Sequence, residues 1–392
     1  MNVYIPGNRV TLLRSGTEFF PALESAIDGA RSDVWMETYI YADDPSGRRI
    51  SAALIRAAQR GVEVRLLVDA WGVKSYITRA LERELIAGGV DYLKYRPEIA
   101  PWQFRSHRLR RLHRKVAQVD GRIAFVGGIN IVDDMNTPGS KPPRVDFAVT
   151  LEGPLLPVVL HTMERVWGLV KLVQFKESNV PLFPERRIGT PAGNQVAKFV
   201  VRDNLRHRRD IERAYLAAIR VARHEIVICN SYFFPGIRFR RALVAAAQRG
   251  VRVTLLLQAR VEYILLHFAS RAMYGQLLEA GVVIQEYHRS MLHAKVAVID
   301  SGWATVGSSN IDPYSLLMAR EANVVVRDPG FAKQLRRELE RMINEGSTTI
   351  VADRWRSRPR LNRIAIWIAY GIVRLAMGFL GYGRNEWFRR DP

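Results

Sequence analysis

The sequence predicts an α/β protein of two similar α/β/α domains related by a pseudo-twofold axis, followed by a C-terminal amphipathic tail. Three observations carry this. A helix–glycine–strand unit occurs twice, a His-x-Lys segment occurs twice, and a Pro- and Gly-bearing stretch lies between the copies.

The elements follow in order. Met1 to Gly16 is short of apolar residues and reads as a strand entering the fold, with neither a signal peptide nor a membrane span expected in it. Val34 to Tyr41 reads as a strand running into an aromatic-rich loop. Ala57-Ala58-Gln59-Arg60-Gly61-Val62 closes an amphipathic helix with glycine, and the apolar run Val64 to Val68 is a buried strand. The same order returns in Ile226 to Phe234, in Ala246-Ala247-Gln248-Arg249-Gly250-Val251, and in Val253 to Leu257.

Downstream, His113-Arg114-Lys115-Val116-Ala117-Gln118-Val119-Asp120 pairs with His293-Ala294-Lys295-Val296-Ala297-Val298-Ile299-Asp300. Each continues to a small-residue turn and an asparagine, Gly127-Gly128-Ile129-Asn130 and Gly307-Ser308-Ser309-Asn310. The helix–strand units are 189 residues apart and the His-x-Lys units 180. The first half therefore carries a surplus, which falls in Arg96 to Leu112 with Arg105, Arg108, Arg110 and Arg111; the matching stretch is His288 to Leu292. Asn179 to Asn194 (Pro181, Pro184, Gly189, Pro191, Gly193) reads as a linker. The expected divisions are residues 1–178, a linker 179–194, residues 195–350 and a tail 351–392.

At 392 residues the chain is long enough for two domains, and 48% apolar with 25% charged residues is a globular profile. Lys plus Arg number 59 against 38 Asp plus Glu, a formal charge of +21, which implies an anionic partner, nucleic acid or a membrane surface. A single cysteine, Cys229, excludes an intrachain disulfide and reads as a buried core thiol. The other histidines (His107, His161, His207, His224, His267, His288) lack paired ligand spacing, so neither metal nor cofactor is expected.

In a strand, alternate side chains share a face, which puts His113 beside Lys115 and His293 beside Lys295. The glycine turns allow close backbone approach, with Asn130 and Asn310 as amide donors. One half is an incomplete site. Two facing halves give two imidazoles and four donors around one anionic centre. That set suits phosphodiester exchange: one histidine attacks phosphorus, the other moves the proton, and lysines and amides stabilise the phosphoryl oxygens. A lone His-x-Lys on a strand is common; the duplication with fixed spacing makes the site.

The pattern His-x-Lys-x4-Asp-x6-Gly-[Gly/Ser]-x-Asn, twice, resembles the signature of the phospholipase D superfamily, over about Val10 to Val326. The resemblance implies two phospholipase D-like domains sharing one interdomain site. It implies His113 as nucleophile, His293 as general acid and base, and Lys115, Lys295, Asn130 and Asn310 as phosphate ligands. Asp120 and Asp300 belong to the motif and are implied to point away in structural ion pairs. A carboxylate past each histidine is implied to orient its ring, and Asp146 and Glu321 match by position. Surface ion pairs with Arg144 and Arg320 are the alternative for these two.

Within the superfamily the chain resembles the bacterial cardiolipin synthases of the class without N-terminal membrane spans. The stretches are Met36-Glu37-Thr38-Tyr39-Ile40-Tyr41, Leu151-Glu152-Gly153-Pro154, Asn230-Ser231-Tyr232-Phe233-Phe234-Pro235-Gly236 and Trp303 through Pro313. Those enzymes join two phosphatidylglycerols and release glycerol. The implied partners are anionic phospholipids, phosphatidylglycerol as substrate and cardiolipin as product, at the cytoplasmic surface of the cell membrane, with no nucleic acid. The motifs do not separate transfer from hydrolysis or from another phosphatidyl transfer. A nucleic-acid phosphodiesterase also suits the charge, but has no use for the apolar, aromatic tail.

In that tail, Ile364 to Tyr382 carries one charge, Arg374. As a helix it would be about 28 Å long, barely a bilayer core. Arg356, Arg363 and Arg374 fall near one helical face, and Trp355, Trp367, Tyr370, Tyr382 and Trp387 supply interfacial aromatics. A helix lying in the membrane surface is expected, flanked by Arg354, Arg356, Arg358, Arg360 and Arg363; a span or a packed helix are the alternatives. Oligomeric state is not legible.

Overall fold

The computed structural model describes residues 3–97, 110–177, 180, 189–203, 206–259, 264–312, 315, 319–352, 355 and 360–377. In the first half the order is β1 (Ile5–Arg14), α1 (Ser15–Asp28), β2 (Asp33–Thr38), α2 (Pro45–Gln59), β3 (Glu63–Asp69), α3 (Arg79–Ala87), β4 (Asp91–Tyr95), β5 (Lys115–Val119), β6 (Ile123–Gly127), β7 (Arg144–Val145), β8 (Phe147–Glu152) and α4 (Leu156–Val173). The second half runs β9 (Gln195–Arg202), α5 (Asp210–Val221), β10 (Glu225–Asn230), α6 (Ile237–Gln248), β11 (Arg252–Gln258), α7 (Ile264–Arg271), α8 (Tyr274–Glu279), β12 (Val283–Tyr287), β13 (Met291–Leu292), β14 (Lys295–Ile299), β15 (Trp303–Gly307), β16 (Glu321–Arg327), α9 (Pro329–Gly346) and β17 (Ser347–Thr349). The tail helix α10 spans Arg360–Met377.

The repeated units fold alike because they carry the same local instructions. In α2, Pro45 opens the helix and the Asp44 side chain accepts from Gly47 N, while Ile50, Ala53, Leu54 and Ala57 form the buried stripe. Gly61 and Gly250 then turn the chain with φ +89° and +88°, a conformation L side chains rarely adopt. The strands that follow, β3 and β11, share one burial pattern, an exposed first residue and four buried last residues. Buried on both faces, they are central parallel strands.

One fifteen-stranded sheet results, in the order β17-β12-β11-β10-β14-β15-β16-β9-β1-β8-β6-β5-β2-β3-β4. Read outward from the β9–β1 junction, the first seven strands in each direction correspond and β17 extends the second half by one, so the pseudo-twofold axis passes at the junction. The junction is short: Ile5 pairs with Ala197 and Asn8 with Gln195. The end of the expected linker is pinned beside it, with Ala192 N and Gly193 N donating to Gly7 O; residues 181–188 lie outside the described residues.

Each half has its own outer core, Phe20, Leu23, Ile50 and Leu66 in the first and Ile211, Tyr215, Phe239 and Leu255 in the second. The inner core joins them: α4 lays Leu160, Met163 and Trp167 on the first half-sheet, and α9 lays Phe331, Leu335 and Leu339 on the second. Each such side chain contributes about 1.5–3 kcal/mol by leaving water, so the halves are held by burial as well as by the strand junction. Among the described residues no helix is long and apolar enough to cross a membrane.

Candidate active site

Within each half the parallel strands, β2 with β3 and β10 with β11, end together, and it is beside such strand ends that open α/β sheets bind ligands. His113 stands beside the end of β2 and His293 beside the end of β10, each just before the antiparallel strand that opens on its lysine. His113 Nδ1 lies 2.8 Å from Glu321 Oε1, and His293 Nδ1 lies 2.6 Å from Asp146 Oδ2. Each ring therefore takes its carboxylate from the other half, which corrects the expectation that each carboxylate orients the histidine before it. The reason is strand pairing. Met291 and Leu292 of β13 pair with Arg144 and Val145 of β7, and His293 N donates to Val145 O. Leu112 bridges to Arg320, and His113 N donates to Arg320 O. The segment before each histidine is thus zipped to the segment before the other half's carboxylate.

The alternative ion pairs are not formed. Arg144 donates to the carbonyls of Asp133 and Asn136, and Arg320 donates to the Tyr95 hydroxyl. The Nδ1–carboxylate bonds assign the proton to Nδ1, which leaves Nε2 as each ring's basic nitrogen.

Both lysines are buried. Lys115 Nζ donates to His113 O at 2.6 Å. Lys295 Nζ donates to His293 O, lies 2.8 Å from His293 Nδ1, and is 3.4 Å from Asp146 Oδ2. Burial lowers the Lys115 pKa to about 7, helped by Lys295 and opposed by Glu321, Asp146 and Asp69. Burial likewise lowers Lys295. Burial, then Lys295, bring His293 down to about 3; burial also lowers His113, against the pull of Glu321. Asp146 is pushed up by burial and brought below its ordinary value by Lys295 and His293. Both imidazoles are thus displaced toward the neutral form in the free protein.

Asn130 and Asn310 are buried as well. Asn130 Oδ1 accepts from Ile40 N at 3.1 Å, which turns its NH2 outward as a donor. Asp120 and Asp300 sit at the far ends of β5 and β14, about 16 Å of strand away from the lysines. Their partners correct the expected ion pairs. Asp120 accepts from the backbone N of Arg31, Ser32 and Asp33, and Asp300 from that of Arg223, His224 and Glu225. They fix the turns into β2 and β10 and, as the resemblance implied, point away from the lysines.

Several contacts at the site were not read from sequence. Asp69 Oδ2 and Gln258 Oε1 accept from Leu112 N and Leu292 N, each at 2.8 Å, and so hold the residue before each histidine. These two end the repeated strands 189 residues apart, a spacing that was visible. Ser308 Oγ donates to Glu321 Oε2 at 2.5 Å. At the matched position a Cβ on Gly128 would meet Asp146 Oδ1 at 2.4 Å, so the shorter, crowded carboxylate requires glycine there. Tyr39 packs on the His113 ring, centroids 4.8 Å apart, with Lys115 Nζ 5.3 Å from its centre. Of the basic insertion, residues 98–109, including Arg105 and Arg108, lie outside the described residues; Arg111 is buried against Asp69 and Trp71. Among the described residues no group of three or more His, Cys, Asp or Glu side chains could hold a metal.

A family model described as "Cardiolipin synthase, PLD-like domain" matches residues 23–136 and 215–343, one stretch in each half. The cardiolipin synthase B of Escherichia coli K12 is 39% identical over 338 residues, 86% of this chain and 81% of that protein. The cardiolipin synthase A of Proteus mirabilis is 28% identical over 93% of this chain and 75% of that protein. Among solved structures, the phosphatidylserine synthase of Haemophilus influenzae superposes with a TM-score of 0.71 at 12% identity, over 95% of this chain and 94% of that one, a likeness of fold.

Proposed function

The chain belongs to the phospholipase D-like family of cardiolipin synthases, and from that footing we propose that it moves a phosphatidyl group from one phosphatidylglycerol to another through a phosphohistidine. The observation that carries this reading is the crossed pair of histidine–carboxylate contacts, which builds one centre from both halves with Lys115 and Lys295 between them.

In the first step His113 Nε2 attacks phosphorus, the bond from phosphorus to the head-group glycerol oxygen breaks, and that oxygen takes a proton from His293 Nε2. In the second, the glycerol hydroxyl of another phosphatidylglycerol gives its proton to His293 and attacks the phosphohistidine. The phosphorus–nitrogen bond breaks and cardiolipin leaves; the net products are cardiolipin and glycerol. Lys115, Lys295, Asn130 and Asn310 hold the phosphoryl oxygens. The first step needs His293 protonated. A bound phosphodiester supplies negative charge among the lysines, which offsets one cause of the lowered His293 pKa and draws a proton onto it.

The substrate class makes anionic phospholipids and the cytoplasmic membrane surface the partners, with the tail as the associating segment. The test is purified protein with labelled phosphatidylglycerol and products resolved by mass. Cardiolipin and glycerol in equal amounts are expected, unaffected by EDTA. Phosphatidic acid alone would make the protein a hydrolase and contradict the transfer.

A further inference from the structure

We infer that the active site is flanked by an apolar rim of two patches, Trp71, Leu172 and Phe175 from the first half and Ile368, Ile372 and Leu375 from α10, that seats it on an anionic lipid bilayer. This role rests on the lipid reading above and names the surface on which substrate is met.

On the first half, α4 leaves the end of β8 and crosses back to β4, where Gln174 Nε2 donates to Lys94 O. There it exposes Leu172 (55%) and Phe175 (98%). Phe175 has a φ of +53°, an unfavourable conformation for a bulky residue, so the backbone holds a phenyl ring fully in water. Trp71, half exposed, lies two residues past Asp69 at the end of β3, and the cations Lys74 and Arg111 lie over its ring. On the second half, α10 is two-faced. Ile366, Ala369 and Tyr370 are buried, whereas Ile368 (57%), Ile372 (49%) and Leu375 (66%) form an exposed stripe at i, i+4 and i+7, with exposed Arg374 beside it.

The buried face ties this stripe to the site. Tyr370 packs on Phe234, ring centroids 5.8 Å apart, beside Ala269 and Met273. Phe234 N donates to Ile311 O, and Ile311 follows Asn310. Each patch therefore lies where the parallel strands of its own half end, the ends from which His113 and His293 meet the other half's carboxylates. Large apolar groups exposed in clusters, rimmed by cations on a chain of charge +21, fit an anionic bilayer better than another protein surface.

The test measures partition of the whole protein onto phosphatidylglycerol-containing vesicles by sedimentation, using two variant sets, Leu172→Ser with Phe175→Ser, and Ile368→Ser with Ile372→Ser and Leu375→Ser. All five positions are exposed, so melting temperature checks that folding is kept. Each set is expected to lower partition at least about tenfold, to slow turnover on vesicles, and to leave turnover of a short-chain, monomeric phosphatidylglycerol unchanged. Wild-type partition from both sets, loss in one set alone, or a dimer that the substitutions split would overturn the rim. Partition does not require turnover, so wild-type protein that binds vesicles through these residues yet makes no cardiolipin would sink the transferase reading and leave the rim standing.

Discussion

The two halves repeat the same histidine, lysine and asparagine and support them differently. Beneath His113, the next residue Arg114 turns inward to a buried, bidentate ion pair with Glu37 and a bond to Thr162 O. Glu37 pairs with Val116, and Cys229 pairs with Val296, so Cys229 stands at Glu37's place. Beneath His293 the matched pair is thus Ala294 and Cys229, both wholly buried. Above the rings, Tyr39 packs on His113, whereas the matched Ser231 donates to Ala294 O. Glu321 is braced by Ser308, and Asp146 by Phe147 N with Lys295 alongside. The duplication has kept the histidine, lysine and asparagine of each motif. What holds those groups is satisfied by a charge pair in one half and by packing in the other. The consequence is functional: His113 is an aromatic-packed ring with one carboxylate, and His293 is crowded by a cation.

Removing either ring breaks the comparison most severely. His113→Ala and His293→Ala are each expected to cut kcat by at least about 10⁴-fold, measured as cardiolipin formed; retention of a tenth of the rate in either would mean that one half suffices. The crossed carboxylates come next. Glu321→Gln should slow turnover by about 10²–10⁴-fold and, because Glu321 raises the His113 pKa, should lower the pKa of His113 and not of His293 when the rings are titrated by NMR. Asp146→Asn should act on His293 instead. A change at the histidine of the same half would return the site to uncrossed pairing.

The support beneath the rings separates the halves in stability. Glu37→Ala leaves Arg114 buried without its carboxylate and should cost about 3–5 kcal/mol in urea unfolding. Adding Arg114→Met should recover part of that loss, since the second half shows that the position accepts an apolar pair. A double variant no more stable than the single would contradict this.

A smaller effect follows from pH. Lys115 is charged below about 7 and neutral above. Phosphate affinity in the free protein therefore falls as pH rises through that value, and KM should grow by up to about tenfold per unit. A KM flat from pH 6 to 9 would show that Lys115 keeps its proton. The least effect is expected at Cys229, whose thiol pKa burial pushes up: the folded protein should resist alkylation, and Cys229→Ala should leave turnover unchanged.

The fold and the reacting groups were legible because both repeat. Ala57–Val62 and His113–Asp120 return with their spacing, and a period is readable without coordinates. The crossing was not, because it depends on two-residue strands, Arg144–Val145 against Met291–Leu292, which carry no periodic signal. Asp120 and Asp300 are part of the pattern for a different reason, the capping of turns by backbone N–H groups, which spacing alone does not distinguish from catalysis. Asp69 and Gln258 differ in residue type, and only their shared acceptor oxygen reveals that they do one job. The tail was readable as amphipathic, but the partner of its buried face, Phe234, comes from a loop more than a hundred residues earlier.

The most direct measurement of a shared centre is to trap the covalent species. His293→Ala protein, incubated with labelled phosphatidylglycerol bearing a good leaving group in place of glycerol, should accumulate an acid-labile adduct on the peptide containing His113, and combining it with His113→Ala should abolish the label. Label on a peptide of the second half, or label that survives loss of His113, would contradict the account.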